Sequence, residues 1–237
     1  MSFQDQSRLI VALDVPTRKA AEDLARKIAP AEPWLKVGLE LFVAEGPELV
    51  RQLSQAGHPI MLDLKLHDIP ATVARAVNRA GELGVELLTI HASGGRAMLA
   101  AAAEAAHKTK PRVRTLAVTV LTSMDQGDLD EVVGDRPVDT QVEKLALLAA
   151  EAGCDGIVCS PLEAKRIRGL VPKEFLIVTP GVRPKGADHG DQKRVTTPGE
   201  AIRAGASAVV VGRPIRDDAD PGARAAEITQ ELKLAAG

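Results

Sequence analysis

The sequence predicts an α/β protein: a (β/α)8 TIM barrel forming a single domain over residues 1–237. Three observations predict it. Short β-branched apolar runs alternate eight times with Ala-rich, charged, helix-like segments, the pattern of parallel βαβ units. The runs are almost continuously apolar, as in LIVAL, LIVTP and AVVVG, which suits strands buried on both faces. Eight such units in 237 residues match the usual length of an eight-stranded barrel, about 250 residues. The competing architecture, a doubly wound open sheet, usually carries a glycine-rich phosphate turn after its first strand. Here that turn reads DVPTRKA, without a glycine.

Taken in order, the first strand is expected over 9–15 (LIVALDV), followed by an amphipathic helix over 17–29 (TRKAAEDLARKIA). The second and third strands are read at 34–42 and 59–66, and a helix at 71–83 (ATVARAVNRAGEL). Strands four and five fall at 87–92 and 115–121. The polar stretch 123–139 (SMDQGDLDEVVGDRPVD) reads as a loop, and 142–153 (VEKLALLAAEAG) as the next helix. The last three strands are expected at 156–160, 175–180 and 208–212. Between the final two lies a second polar loop, 183–194, whose two glycines and place after a strand suit a closing lid. No linker or change of composition marks a second domain.

Composition narrows the partners. Thirty Lys and Arg against 32 Asp and Glu leave a net charge of −2, so no basic field points to nucleic acid. One Trp, three Phe and no Tyr exclude base-stacking platforms and interfacial aromatic belts. Cys154 and Cys159 cannot build a disulfide framework, and their spacing fits neither a zinc knuckle nor a redox pair; they read as small buried hydrophobes. No basic, apolar leader opens the chain, and no apolar stretch approaches ~20 residues. The expectation is a cytoplasmic protein with no membrane partner.

In a barrel the reactive site forms where strands end and βα loops begin. The polar residues at those ends are Asp14, Lys36, Asp63, Lys65, His91, Thr122, Gly212 and Arg213. Charges on apolar strands are costly to bury, so these groups should pair or meet a charged ligand. The densest cluster is MLDLKLHDIPATV (61–73). Strand alternation puts Asp63 and Lys65 on one face, Asp68 lies just beyond, and Lys36 reaches the same mouth from its own strand. An alternating Lys–Asp–Lys–Asp array neutralises itself in a dry pocket and favours a protonated Lys65. TPGVRP (179–184) and VGRPI (211–215) follow strands seven and eight, where barrels often hold phosphate: Gly212 permits close backbone approach and Arg213 offers a planar fork. His91 has no neighbouring nucleophile and reads as a capping or packing residue. No His, Asp or Glu cluster has metal spacing, although a lone carboxylate pair with waters could hold Mg²⁺.

These motifs together — LDV (13–15), KVG (36–38), DLKLHDIPATV (63–73), LTS (121–123), TPGVRP, GDQKR (190–194) and VGRP (211–214) — resemble orotidine 5'-phosphate decarboxylases, in order and over nearly the whole chain. The resemblance implies decarboxylation of orotidine 5'-phosphate to uridine 5'-phosphate and CO₂, the last step of de novo pyrimidine biosynthesis, without cofactor or metal. It implies a homodimer with shared active sites. By matching motif, Lys65 is the proton donor to C6, Asp63 sits against the substrate carboxylate, and Lys36 links Asp63 to the ribose. Asp14 matches a ribose ligand, while Asp68 and Thr72 reach into the partner's site. Thr122 matches the pyrimidine contact, Pro180 is a substrate-binding position in TPGVRP, and Arg183, Gln192, Gly212 and Arg213 match the phosphate and lid side.

The nearest alternative is a Mg²⁺-dependent 3-keto-gulonate-6-phosphate decarboxylase or hexulose-phosphate synthase of the same barrel group, which also resembles D-x-K-x-x-D. A cation at Lys36 opposes a metal there. A non-catalytic nucleotide sensor on the same barrel is the alternative outside enzymes, but no catalytic group is missing.

Overall fold

In a computed structural model that describes residues 7–183 and 196–236, eight parallel strands close into a barrel in sequence order, with the last returning to the first. The strands are β1 (Leu9–Ala12), β2 (Trp34–Gly38), β3 (Ile60–Leu66), β4 (Leu87–His91), β5 (Arg114–Val118), β6 (Gly156–Val158), β7 (Leu176–Thr179) and β8 (Ala208–Val211). Around them run α1 (Arg18–Ile28), α2 (Leu39–Gln55), α3 (Pro70–Glu82), α4 (Gly95–Lys108), α5 (Gln126–Val133), α6 (Val138–Glu151), α7 (Ala164–Arg168), α8 (Pro198–Arg203), α9 (Arg213–Arg216) and α10 (Pro221–Ala236). The expected (β/α)8 architecture is the observed one.

The apolar runs have their explanation in two cores. Ile10, Ala12, Trp34, Met61, Leu87, Leu116, Leu176, Val178, Ala208 and Val210 fill the barrel interior. The intervening residues, such as Leu9, Val11, Leu35, Val37 and Leu88, face outward beneath the helices. Each strand is therefore apolar on both faces, with each fully buried Leu or Val contributing about 1.5–3 kcal/mol. The helices meet this wall with one stripe each. Thr17 caps α1 by accepting from the Ala20 N–H, and Ala21, Leu24, Ala25 and Ile28 then recur on one buried face. At Gly156 a Cβ would collide with the Leu176 carbonyl and the Leu116 side chain, so β6 sits against its neighbours only because that atom is missing.

Three expectations need correction. Strands end earlier than the apolar runs: 34–42 stops at Gly38, and Leu39 to Phe42 already belong to α2, because Leu41 is buried under the helix rather than in the sheet. The stretch 123–139 is not a loop throughout. Asp125 and Asp128 form a reciprocal capping box, which starts α5 and lets Leu129 bury its side chain. Strict alternation also fails in β3, where the register against β4 shifts between Leu62 and Leu66. Of the 183–194 stretch, all but Arg183 lies outside the described residues, Gln192 included; Val182 and Thr196, flanking it, form an isolated bridge.

Candidate active site

At the C-terminal ends of the strands the barrel opens into a cavity of about 510 Å³. Ala12, Met61, Val118, Val158 and Val210 make an apolar floor continuous with the barrel interior. Asp14, Lys36, Asp63 and Lys65 line it from the ends of β1 to β3; Pro180, Gly181 and Arg183 line it after β7, and Gly212 and Arg213 after β8, next to Asp14, with Thr122 also on the lining.

The charged wall is one connected array. Lys36 Nζ lies 3.1 Å from Asp14 Oδ1 and 3.4 Å from Asp63 Oδ2. Lys65 Nζ donates to Asp63 Oδ1 at 2.9 Å. The register Ala12↔Lys36 and Gly38↔Asp63 brings the three strands level at this point. Gly38 makes room for the pair, since a Cβ there would come 3.1 Å from both Asp14 Oδ1 and Lys36 Nζ. Burial is the largest single influence on Asp63 and opposes its charge. The Lys36 and Lys65 ammoniums, with hydrogen bonds from Lys65 and Thr89, outweigh it and hold the carboxyl below its ordinary range.

Lys65 reaches this position by a bulge, not by plain alternation. Its φ of 50° lies in the left-handed region, which costs a non-glycine residue on the order of 1–3 kcal/mol. Its N–H donates at 2.9 Å to the hydroxyl of Thr89, and that hydroxyl donates at 2.9 Å to Asp63 Oδ1. Thr89 is 1% exposed. Nothing in LLTIH marked it, since a threonine in an apolar run passes as ordinary strand filling. Arg216 was also missed: it lines the cavity and donates to the Asp14 carbonyl at 2.8 Å, fastening the first βα turn to α9.

Asp68 and Thr72 stand apart from this cavity within the chain. Asp68 is exposed and turns back to accept the Ile69 N–H at 2.6 Å; Thr72 is half-buried on α3 and accepts from Arg75. The array inside one chain is therefore Asp14–Lys36–Asp63–Lys65, and Asp68 does not extend it. His91 packs its ring against His67, centroids 5.4 Å apart, and makes no side-chain cap. Burial, then the nearby His67 and Lys65, push His91 below the usual histidine range against the pull of Asp63. Both cysteines are buried as expected; burial pushes the Cys154 thiol up to about 12, and Cys159 adds to the cavity lining. Among the described residues no group of three or more His, Cys, Asp or Glu is placed to hold a metal, and no helix is long and apolar enough to cross a membrane.

An ionised carboxylate between two ammoniums, in an apolar-floored cavity that Arg183, Arg213 and Arg216 also line, suits a small anionic ligand whose reacting end sits at Lys65. Known proteins point the same way. The chain is 54% identical over 230 residues to a protein of Anaeromyxobacter sp. (strain K) named orotidine 5'-phosphate decarboxylase, covering 97% of this chain and all of that one. A Moorella thermoacetica protein of the same name is 50% identical over 235 residues, covering 97% and 93%. The crystal structure of orotidine 5'-phosphate decarboxylase from Lactobacillus acidophilus superposes with a TM-score of 0.85 at 37% identity, over 96% of this chain and 99% of that one. Residues 7–228 match the family model for orotidine 5'-phosphate decarboxylase / HUMPS, and the chain belongs to that family.

Proposed function

We propose that this chain, acting as one barrel domain, is a cofactor-independent carboxy-lyase that converts orotidine 5'-phosphate to uridine 5'-phosphate and CO₂, the closing step of pyrimidine nucleotide synthesis in the cytoplasm. The observation that carries the reading is the Asp14–Lys36–Asp63–Lys65 array at the mouth of an apolar-floored cavity. The names of the curated relatives support the same substrate.

The C6–carboxylate bond breaks and leaves its electron pair on C6 in the plane of the ring, with no adjacent π system arranged to accept it. A fixed ammonium where that charge develops lowers the barrier, and Lys65 then delivers the proton. Asp63, held ionised by its neighbours, faces the substrate carboxylate and disfavours the ground state. Lys36 joins Asp63 to the ribose, Asp14 takes a ribose hydroxyl, and Thr122 contacts the base. Arg213, Gly212, Arg183 and Pro180 take the phosphate end, to which Gln192 is assigned by its motif alone, so remote binding energy serves the chemical step.

Asp68 and Thr72 are proposed to enter a second copy's site. Large apolar side chains are exposed on the segments that follow β2 and β3: Val43, in the first turns of α2, is 81% exposed, and Ile69, next to Asp68, is 66% exposed. Such a patch around Asp68 suits an interface between copies of this chain.

The Mg²⁺-dependent alternative is disfavoured by Lys36, whose ammonium lies between the Asp14 and Asp63 carboxylates that a divalent ion would need. The experiment is the ultraviolet absorbance of orotidine 5'-phosphate incubated with the protein and EDTA. Steady loss of the orotate chromophore supports the proposal; activity on sugar phosphates that EDTA abolishes supports the alternative, and nucleotide binding without turnover supports a sensor.

A further inference from the structure

We propose that Thr89 is a positioning residue for the proton donor: its hydroxyl ties the backbone of Lys65 to the carboxylate that holds the Lys65 ammonium, and so fixes where the ammonium points. The inference rests on the decarboxylase reading above.

Three observations combine. The register between β3 and β4 breaks between Leu62 and Leu66, so the Lys65 N–H meets the Thr89 hydroxyl. Lys65 sits at a φ of 50°, a conformation that lasts only where surrounding contacts enforce it. The Thr89 hydroxyl has one hydrogen, and with the Lys65 N–H already donating to its oxygen, that hydrogen goes to Asp63 Oδ1. The result is a closed ring: Lys65 N–H to Thr89 Oγ1, Thr89 O–H to Asp63 Oδ1, and Lys65 Nζ back to the same Oδ1. Both ends of one lysine are thereby held through a single buried hydroxyl. Valine has nearly the shape of threonine but can close neither bond.

Asp63 is faced by Lys36 from β2, Lys65 from β3 and, at longer range, His91 from β4. Loss of the Thr89 donor removes one of the groups that keep it ionised, so a positioning role also predicts a changed acid limb.

The test compares wild type, Thr89→Val and Thr89→Ser, measuring kcat and KM for orotidine 5'-phosphate against pH. Expected for Thr89→Val is a kcat about 10- to 100-fold lower with KM little changed, as for a reacting group held slightly out of place. Its acid limb moves toward neutrality, and Thr89→Ser restores both. A Thr89→Val enzyme with wild-type kcat and acid limb overturns the inference, as does a Thr89→Ser enzyme as impaired as Thr89→Val, which would assign the position to packing. Should the valine variant not fold, Thr89→Ala removes the same hydroxyl without added bulk and is read the same way. If wild type itself turns over no orotidine 5'-phosphate, the decarboxylase reading fails instead. The ring is then judged by the urea midpoint against pH: without the hydroxyl, Asp63 is less depressed, and the variant gains less stability than wild type on going from acid to neutral pH. An unchanged pH dependence sinks the ring.

Discussion

Replacing Lys36 with methionine tests the electrostatics of the site apart from its chemistry. The Lys36 ammonium lies 3.4 Å from Asp63 Oδ2, with side-chain exposures of 10% and 13%, so at an effective dielectric constant of about 20 the gross attraction is about 5 kcal/mol. Much of this offsets the desolvation of the two ions, and Asp63 keeps Lys65 and Thr89 as partners in the variant. The Asp14 side of the bridge adds little, because Asp14 is 44% exposed. The expected net loss is about 2–3 kcal/mol at neutral pH, or roughly 5–10 °C in melting temperature.

The sign of the pH dependence is fixed by Asp63. In wild type its pKa is depressed, so its contribution is present above the ordinary carboxylate range and lost only as pH falls through the lower folded value. Without Lys36, burial is opposed by Lys65 and Thr89 alone, so the carboxyl is less depressed than in wild type. The variant's Asp63 then takes up a proton at higher pH than wild type's and, as acid is added, escapes part of the cost of an under-compensated buried charge. The penalty should shrink from about 2–3 kcal/mol near pH 7.5 to under about 1 kcal/mol near pH 4.5. Urea unfolding of both proteins at the two pH values measures it. An equal penalty at both would mean that Lys36 stabilises by packing its stem, and the electrostatic account would be wrong.

Lys65→Ala should fold normally but lose at least about 10⁴-fold in kcat, since it removes both the charge stabilisation and the proton source; single-turnover absorbance measures this. Arg213→Ala should lower kcat/KM for the nucleotide at least about tenfold yet leave the far slower reaction of the unphosphorylated nucleoside unchanged, which a parallel assay of the two substrates checks. Mixing inactive Lys65→Ala and Asp68→Ala proteins should regenerate about a quarter of the wild-type sites if Asp68 works across a two-fold interface, and none if it works within its own chain; activity after subunit exchange decides. Gly156→Ala should cost about 2–4 kcal/mol by forcing β6 away from β7, read from the urea midpoint.

The residues that were legible in the sequence share one physical property. Asp14, Lys36, Asp63 and Lys65 are charges set at the ends of runs that are otherwise buried, and an unpaired charge there is so costly that pairing could be inferred before any coordinate. The barrel was legible for a related reason, because strands apolar on both faces need helices outside and a filled interior. What escaped depends on register rather than residue type. The capping box of α5 looked like loop polarity until Leu129 was found buried behind it. Arg216 looked like a solvated surface arginine, because nothing local says that α9 lies over the Asp14 carbonyl. Thr89 is the sharpest case. Alternation paired Asp63 with Lys65 correctly but for an incomplete reason, since the bulge in β3 breaks the alternation and turns Lys65 left-handed. A regular strand would have put the Lys65 N–H against a backbone carbonyl; the bulge puts it against a hydroxyl from the next strand, 24 residues on. A side chain whose value comes from an irregularity in its neighbour carries no mark in its own segment, and that is where further positioning residues in this family's barrels should be sought.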